Sequence, residues 1–270
     1  MTDDPGESAV LGIEIDTTTA HPARVYDYWL GGKTNFAADR TAAEQSIAAN
    51  PDIVPAVRAN RAFLGRAVRE LVAAGVDQFL DVGTGIPTEG NTHEVAQAAA
   101  PHARVVYVDN DPIVLAHAHA LLKGSPQGRT GFISGDLRRA DAFLRAAAVT
   151  LDFARPVGVM LVATLQYIGD DDDPYSVVAQ LMAAVSSGSH LVISHPAADI
   201  GADKVATSMR RYNERAAVAA TPRSHAAVTR FFDGLELLEP GVVQLPQWRP
   251  DPDTRSTGPL PMWCGAGRKR

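Results

Sequence analysis

Three aspartates recur at nearly constant spacing along this sequence, each at the end of a short apolar run. Asp81, Asp109 and Asp136 are separated by 28 and 27 residues, which accommodates one strand, one helix and their connections. An aspartate after a strand can simply cap the next helix, but three in phase beside a glycine turn favour a site. Ligands of open α/β sheets bind at the carboxyl ends of the strands. The spacing therefore predicts carboxylates that face a bound nucleoside.

The first of these aspartates stands two residues before a glycine turn. The apolar run 79–82 leads into Gly83, Thr84 and Gly85, and glycine lets the backbone approach a ligand closely. A dinucleotide-binding turn needs a third glycine three residues later, where this chain has Thr88. The turn thus argues against NAD as the bound cofactor but does not exclude it. Nucleoside triphosphates are disfavoured because the chain has no glycine-rich loop ending in Lys-Ser or Lys-Thr.

A nucleoside cofactor without phosphates fits these residues better. S-adenosylmethionine carries an ammonium and a sulfonium, which favour nearby carboxylates and carbonyls, and its ribose has two hydroxyls. Asp109, after the second strand, lies across the crevice from the turn, where it can accept hydrogen bonds from both hydroxyls. The residues therefore predict S-adenosylmethionine as the cofactor and S-adenosylhomocysteine as its product.

The elements that must position these residues alternate regularly. Short apolar runs predict strands, and segments with helical periodicity separate them. The alternation predicts an α/β fold with a doubly wound parallel sheet covered by helices on both faces. The strands are expected at residues 79–82, 104–108, 130–134, 158–162 and 189–193, and the helices at 53–74, 92–100, 112–122, 138–147 and 175–185.

The two ends of the chain depart from this alternation. Residues 1–52 fit no sheet pattern, and their aromatic cluster beside Gly31 and Gly32 indicates either a lid over a pocket or a strap packed on the core. We expect residues 53–270 to form the main domain, with 196–224 as a substrate cap because this segment interrupts the sheet pattern. Helices are expected at 202–220 and 224–232, followed by an antiparallel hairpin of 235–238 with 261–264.

Composition and charge exclude several classes of protein. The chain has 270 residues, of which 46% are hydrophobic and 21% charged, as in ordinary globular proteins. A net charge of −6 without a long basic tract argues against nucleic acid and membrane as partners. Its N-terminus is acidic and Cys264 is the single cysteine, so we expect a cytoplasmic protein. The acidic run 170–173 is interpreted as a helix cap before Pro174, and no metal site is expected.

Several motifs distributed along the chain carry a family resemblance. They are residues 21–33 (HPARVYDYWLGGK), 60–64 (NRAFL), 80–88 (LDVGTGIPT), 240–243 (PGVV) and 248–250 (WRP). With them, the sequence resembles class I S-adenosylmethionine-dependent methyltransferases, and more narrowly a bacterial S-adenosyl methyltransferase family whose substrates are mostly unassigned. The resemblance implies a Rossmann-like fold with a seven-stranded, mostly parallel sheet, helices on both faces and an antiparallel last strand.

The resemblance also implies where the cofactor binds. The glycine turn would contact the methionine part of the cofactor. Asp109 would contact the ribose, and Asp136 with Leu137 would contact the adenine. Arg61 either pairs with the methionine carboxylate or lies on the wet face of its helix. Ile86 and Pro87 replace a third glycine found in many relatives, so a stiffer loop is expected. The expected cofactor-binding residues are Asp81, Gly83, Thr84, Gly85, Asp109, Asn110, Asp136, Leu137, Arg61 and Gly32.

Methyl transfer from a sulfonium needs a protein mainly to position the acceptor and exclude water. We therefore expect in-line transfer of a methyl group to an oxygen or nitrogen atom of a small molecule. The candidate catalytic residues are His195, Tyr167 and Tyr28. Further candidates near the predicted site are Gln166, His21 and Tyr26.

Two other classes of function stay open at this stage, and so does assembly into homo-oligomers. One is a non-catalytic module that only binds S-adenosylmethionine, since a fold does not establish turnover. The other, less favoured, is an NAD-dependent oxidoreductase. Residues 163–168 lack the proline-containing motif of some amino-methylating relatives, so the sequence does not select between nitrogen and oxygen as acceptor.

Overall fold

The computed structural model of this chain describes residues 15–121, 124–252 and 258–270. Residues 1–14 of the expected lid or strap, and residue 122 at the end of an expected helix, lie outside the described residues. Three helices precede the sheet: α1 (Pro22–Leu30), α2 (Ala37–Ala49) and α3 (Ile53–Ala73). Proline suits the first turn of α1 because its missing N–H has no helical partner there. Gly31 ends α1 with a left-handed φ of 86°.

Strands and helices then alternate as the sequence predicts. In chain order they are β1 (Gln78–Val82), α4 (Thr92–Ala99), β2 (Arg104–Asp109), α5 (Pro112–Leu121), β3 (Arg129–Ser134), α6 (Ala140–Ala147), β4 (Gly158–Val162), α7 (Pro174–Ala184) and β5 (His190–Pro196). These five strands are parallel and lie in the order β3-β2-β1-β4-β5. The strand order reverses between β1 and β4, so a crevice opens at their carboxyl ends. The predicted doubly wound fold is confirmed.

The last strand completes the sheet in the antiparallel direction. β8 (Met262–Arg268) pairs with β5 on one side and with the short strands β6 (Glu236–Leu237) and β7 (Val243–Gln244) on the other. The antiparallel last strand near the edge is thus confirmed. The described residues form eight strands rather than seven, because Pro240 and Gly241 divide the segment beside β8. Proline has no N–H for a strand ladder, and Gly241 takes a left-handed φ of 87°.

Two helices occupy the segment between β5 and β6: α8 (Ala202–Asn213) and α9 (His225–Thr229). The prediction of one helix over 202–220 was too long. Asn213 ends α8 because its side chain pairs with the backbone of Ala220, donating to the carbonyl at 3.0 Å and accepting from the N–H at 2.8 Å. The chain then turns back, and the Ala217 N–H donates to the carbonyl of Ala20 at 2.8 Å.

Apolar side chains fill both faces of the sheet and a third layer beyond it. The first face packs against α6, α7 and α9, and its members include Leu80, Leu161, Phe143, Leu181 and Phe232. The opposite face packs against α3 and α4, with Phe63, Leu71, Phe79, Tyr107 and Trp248. The third cluster joins the N-terminal segment to α8 through Ala20, Val25, Ala42, Tyr212 and Ala220. Within the described ranges, the structure has no helix long and apolar enough to cross a membrane.

Candidate functional site

The glycine turn after β1 lies where the strand order reverses. Gly83 and Gly85 have left-handed φ angles of 75° and 68°, which side chains rarely allow. The Gly83 N–H donates to the Val108 carbonyl at 2.8 Å. A Cβ atom on Gly83 would lie 2.4 Å from Thr164 Oγ1, whereas one on Gly85 would meet nothing within 4 Å. The turn is therefore packed tightly at Gly83 and open at Gly85, where a ligand can approach the backbone.

Asp109, at the end of β2, holds this turn from the neighbouring strand. Its Oδ2 accepts a hydrogen bond from the Gly85 N–H at 2.9 Å, and its Oδ1 accepts one from the Asp111 N–H at 2.9 Å. The side chain is buried, and this burial raises its pKa. Each carboxylate oxygen can accept more than one hydrogen bond. Asp109 is thus fixed in position and still able to bind hydroxyl groups.

Asp81 is a second buried acid, within β1. Its Oδ2 accepts a hydrogen bond from the hydroxyl of Thr92 at 2.5 Å. Burial raises the pKa of Asp81 to about 6, although the Thr92 hydrogen bond and the charge of Arg61 act in the opposite direction. At neutral pH Asp81 is therefore mainly a carboxylate with little solvation. A cation bound beside it would be stabilised.

Helix α3 places one unpaired acceptor and one unpaired donor at the same site. Asn60 donates from Nδ2 to the Tyr26 hydroxyl at 2.9 Å, while its Oδ1 is buried without a partner. Arg61 donates from Nη2 to the carbonyls of Glu89 and Gly90 at 3.3 and 3.0 Å, while its Nε is buried without a partner. Buried polar groups are rarely left unpaired. These two atoms are accordingly candidates for contacts with a ligand.

The residues after β3 form the other side of the site. Asp136 accepts a hydrogen bond from the Arg138 N–H at 2.9 Å, and the guanidinium of Arg138 lies 3.2 Å from the Asp136 carboxylate. Arg138 also reaches Asp172 at 2.7 Å, which fixes its position across the loop. Leu137 between them is buried and apolar. This side of the site thus combines an apolar surface with a carboxylate that is already paired.

The N-terminal segment lies against the same site. His21 Nδ1 is 2.8 Å from Asp111 Oδ2, and the His21 N–H donates to Asp39 Oδ1 at 2.9 Å. Burial alone would raise the pKa of Asp111, but the hydrogen bond and charge of His21 hold it below its ordinary value. These contacts attach the start of α1 to the loop after β2. His21, Pro22, Ala23 and Tyr26 consequently line the site.

Many of these groups line one cavity of about 1020 Å³, a volume that includes its open mouth. Every predicted cofactor-binding residue except Gly32 lines it: Asp81, Gly83, Thr84, Gly85, Asp109, Asn110, Asp136, Leu137 and Arg61.

The polar groups of this cavity fit S-adenosylmethionine. Near β1, the carboxylate of Asp81 and the unpaired Oδ1 of Asn60 complement an ammonium, and the unpaired Nε of Arg61 complements a carboxylate. Together these charges match the zwitterion of an amino acid. Asp109 on the next strand supplies acceptors suited to ribose hydroxyls, and Leu137 supplies an apolar surface suited to a base.

Three predicted residues lie away from this cavity. Two of them, Tyr28 and Gly32, form hydrogen bonds within the N-terminal segment. Tyr28 donates its hydroxyl to Glu44 at 2.9 Å on the opposite side of α1. Gly32 closes the turn after α1, where its N–H donates to the Asp27 carbonyl at 2.9 Å and a Cβ would collide with the Asp27 carboxylate. The structure thus gives Gly32 a role in shaping the turn. Tyr167, by contrast, lines the cavity.

His195 is the third predicted residue outside the cavity. The sequence places it just after a strand ending at residue 193, but β5 continues to Pro196 because residues 194–196 pair with β8. Its Nε2 is 3.1 Å from Nη1 of the buried Arg223, and its Nδ1 is 3.0 Å from the Pro196 carbonyl. Arginine only donates, so Nε2 accepts and Nδ1 carries the proton. Burial lowers the pKa of His195 to about 3, and the ring has no nitrogen free to take a proton.

Several residues of the site have no clear signal in the sequence. Asn60 belongs to a family motif, but nothing in the helical pattern distinguishes its unpaired oxygen. Thr92 contacts Asp81, and Thr164 lies against Gly83, only because of how the chain folds. Thr164 also donates to the Val82 carbonyl at 3.0 Å. Ala163 adopts a left-handed φ of 56°, uncommon for a residue with a side chain. Backbone strain of this kind often accompanies functional sites.

This chain is similar to known proteins in sequence and in fold. The chain matches a model described as S-adenosyl methyltransferase over residues 8–270. A DUF574 family protein from Streptomyces avermitilis is 41% identical, with a TM-score of 0.91 over 95% of this chain and 100% of that chain. A protein from Thermobifida fusca, provisionally described as a methyltransferase, is 39% identical, with a TM-score of 0.86 over 94% of this chain and 97% of that chain. No curated protein matches the sequence.

Proposed function

This chain belongs to the S-adenosyl methyltransferase family, and we propose that it transfers the methyl group of S-adenosylmethionine to an oxygen or nitrogen atom of a small molecule. The observation that carries the proposal is the unpaired acceptor and donor of Asn60 and Arg61 beside the carboxylate of Asp81. An amino-acid zwitterion would satisfy all three. S-adenosylmethionine supplies, when bound, a methyl group activated by its sulfonium; transfer leaves S-adenosylhomocysteine and releases the acceptor's proton.

The residues of the cavity have distinct roles in this proposal. Arg61 binds the carboxylate of the methionine part, and Asp81 with Asn60 binds its ammonium. Asp109 binds the ribose, since it is anchored by two backbone N–H groups and keeps acceptor capacity. Leu137 packs against the adenine. These contacts fix the orientation of the cofactor without any metal ligand.

The N-terminal segment acts as a strap in this proposal, and residues 196–224 act as the substrate cap. The contact of His21 with Asp111 holds α1 over the cavity, where Tyr26 covers its interior. A covered site excludes water, which strengthens the electrostatic contacts inside it. The strap and cap therefore bring the acceptor to the methyl group while excluding hydrolysis and solvent.

Tyr167 is the predicted catalytic residue that this cavity retains. Burial raises the pKa of Tyr167, although the adjacent side chains of Tyr212 and Gln166 act in the opposite direction. The phenol therefore stays protonated at neutral pH. We assign it to positioning the acceptor through its hydroxyl rather than to removing a proton.

Calorimetric titration with S-adenosylhomocysteine tests the proposal directly. We expect saturable binding to the wild-type protein and none of comparable affinity with NAD in a parallel titration. Asp109→Asn removes one charged acceptor and should weaken binding about 10- to 100-fold, since hydrogen bonds to charged groups contribute about 1.5–3 kcal/mol. Asp233→Asn, an equal charge change at an exposed residue outside the cavity, should leave the affinity unchanged.

The outcomes separate the three classes of function. Saturation with NAD but not with S-adenosylhomocysteine would overturn the cofactor assignment and favour an oxidoreductase. In a second outcome, the protein binds S-adenosylhomocysteine but forms none of it from S-adenosylmethionine when a metabolite extract is supplied. That outcome would favour a module that binds the cofactor without catalysis. Release of S-adenosylhomocysteine that depends on the extract supports the methyltransferase.

A further inference from the structure

A second cavity adjoins the first, and the two share Tyr26, Ala163 and Tyr167 in their linings. It measures about 670 Å³, its open side included, and is lined by α1, α2, α3, α8 and the segment after β4. The strap and the cap thus build it together, over the carboxyl ends of β4 and β5. A molecule within it would lie next to the contents of the first cavity.

The lining of the second cavity carries no ionisable acid, lysine, arginine or histidine among the described residues. Its large side chains are aromatic or apolar: Tyr26, Trp29, Tyr167, Tyr212, Ile53, Val57, Met209 and Met262. Transfer of an unpaired charge into such surroundings is strongly unfavourable. Aromatic rings favour other rings through stacked or edge contacts. The chemistry of the wall therefore selects a neutral, ring-containing ligand.

Two buried polar atoms of this cavity lack a hydrogen bond: Oε1 of Gln166 and the hydroxyl of Tyr212. The amide oxygen can only accept. Gln166 is 5% exposed, and its Nε2 donates to the Ala163 carbonyl at 2.8 Å, but its Oε1 is buried without any hydrogen bond. The backbone carbonyl of Gln166 is engaged as well, since it accepts from the Thr221 N–H at 2.8 Å. The side chain is therefore held at both its amide nitrogen and its backbone. Its free oxygen can accept a hydrogen bond from a ligand.

We propose that the second cavity binds a neutral aromatic alcohol whose hydroxyl donates to Gln166 Oε1. That this alcohol is the methyl acceptor rests on the proposed function above; its binding does not. As acceptor it would form an oxygen–methyl bond while the sulfonium–methyl bond breaks, and its hydroxyl proton would pass to water at the open mouth of the first cavity. The shared residues place the ligand against the first cavity, and Tyr167 lies between the two. The absence of charge in the wall and the unpaired oxygens of Gln166 and Tyr212 together define the ligand class.

Equilibrium dialysis with three related probes tests this inference. 2-Naphthol has the predicted ring and hydroxyl, naphthalene lacks the hydroxyl, and 2-naphthoate carries a charge. We expect 2-naphthol to bind about tenfold more tightly than naphthalene, because one hydrogen bond contributes about 1 kcal/mol or somewhat more. 2-Naphthoate should bind at least tenfold more weakly than 2-naphthol. Equal binding of 2-naphthol and 2-naphthoate would overturn the inference.

Two variants locate the site. Gln166→Met keeps the length of the side chain and removes its oxygen, so the preference for 2-naphthol over naphthalene should disappear. Ala220→Phe fills the second cavity and should abolish binding of both, whereas Ala98→Phe on the exposed face of α4 should not. Undiminished 2-naphthol binding to Ala220→Phe would place the probe elsewhere and refute the assignment.

Titration of the same preparations with S-adenosylhomocysteine separates the two proposals. Gln166 and Ala220 line the second cavity but not the first, so both variants should retain S-adenosylhomocysteine binding, which also shows that they are folded. Binding of S-adenosylhomocysteine without 2-naphthol binding would overturn the aromatic site and leave the cofactor assignment standing. Binding of 2-naphthol without S-adenosylhomocysteine would support the site and remove its role in methyl transfer.

Discussion

Replacement of Gly83 by alanine should disturb this protein in two ways that can be measured separately. The first is backbone strain, because the residue has a φ of 75°. The second is a collision, because the new Cβ would lie 2.4 Å from Thr164 Oγ1 and 2.5 Å from its Cγ2. Gly234 is the matched control: its φ is 79°, and a Cβ there would meet nothing within 4 Å. Only the strain is common to both positions.

The two contributions have different expected magnitudes. A left-handed conformation costs a residue with a side chain about 1–2 kcal/mol, so Gly234→Ala should lower the free energy of unfolding by that amount. Forcing extra atoms into a packed region costs about 1–3 kcal/mol more. Gly83→Ala should therefore lose about 2–5 kcal/mol in total. A typical domain has about 5–15 kcal/mol of stability, so the variant is expected to fold.

Urea unfolding, analysed by linear extrapolation, measures both losses. The double variant Gly83→Ala with Thr164→Ala isolates the collision, since it removes Oγ1 and Cγ2 and leaves only the Thr164 Cβ, at 3.0 Å. A double-mutant cycle should then give a favourable coupling of about 1–3 kcal/mol. A coupling near zero, or equal losses for Gly83→Ala and Gly234→Ala, would refute the account of the turn as packed tightly against Thr164.

Four further predictions concern titratable side chains. Burial raises the pKa of Asp81 to about 6. The affinity for S-adenosylhomocysteine should therefore be about tenfold lower at pH 5 than at pH 8, because protonation removes the carboxylate that attracts the ammonium. Asp81→Asn should remove this pH dependence. The free protein should lose stability as the pH rises from about 4 to 6, since the unfolded chain ionises Asp81 first, and urea unfolding in Asp81→Asn should lack that change. His195→Ala should lower the free energy of unfolding by about 2 kcal/mol or more, because Arg223 loses a hydrogen-bond partner. Binding of S-adenosylhomocysteine should stay intact. A large loss of affinity in a folded variant would contradict the position of His195 outside the cavity. His21→Ala should raise the pKa of Asp111, which NMR titration can follow, and should speed proteolysis of the strap.

Much of the fold follows from local sequence patterns. The alternation of apolar runs with helical segments is a property of neighbouring residues, so it predicts the five parallel strands and the edge at which their ligands bind. Gly83 and Gly85 mark a turn because only glycine tolerates such backbone angles without cost. The nearly constant spacing of Asp81, Asp109 and Asp136 follows from the length of one strand-helix unit. These features need no knowledge of what packs on them.

Other features depend on contacts between distant parts of the chain. His195 reads as a residue after a strand, but pairing with β8, far along the chain, extends β5 and buries the ring beside Arg223. Asn60 and Arg61 look like ordinary positions of an amphipathic helix until the folded structure leaves one polar atom of each unpaired.

The second cavity shows most plainly what the tertiary structure decided. Its walls come from α1, α2, α3, α8 and the segment after β4, and no local pattern specifies the space that these elements leave between them. Gln166 becomes a candidate ligand contact there, because tertiary packing buries its Oε1 without supplying a hydrogen-bond donor. The sequence by itself determined the sheet, the glycine turn and the cofactor class through short-range periodicity and backbone sterics. Long-range packing decided which side chains are buried, which are paired, and which are left for a ligand.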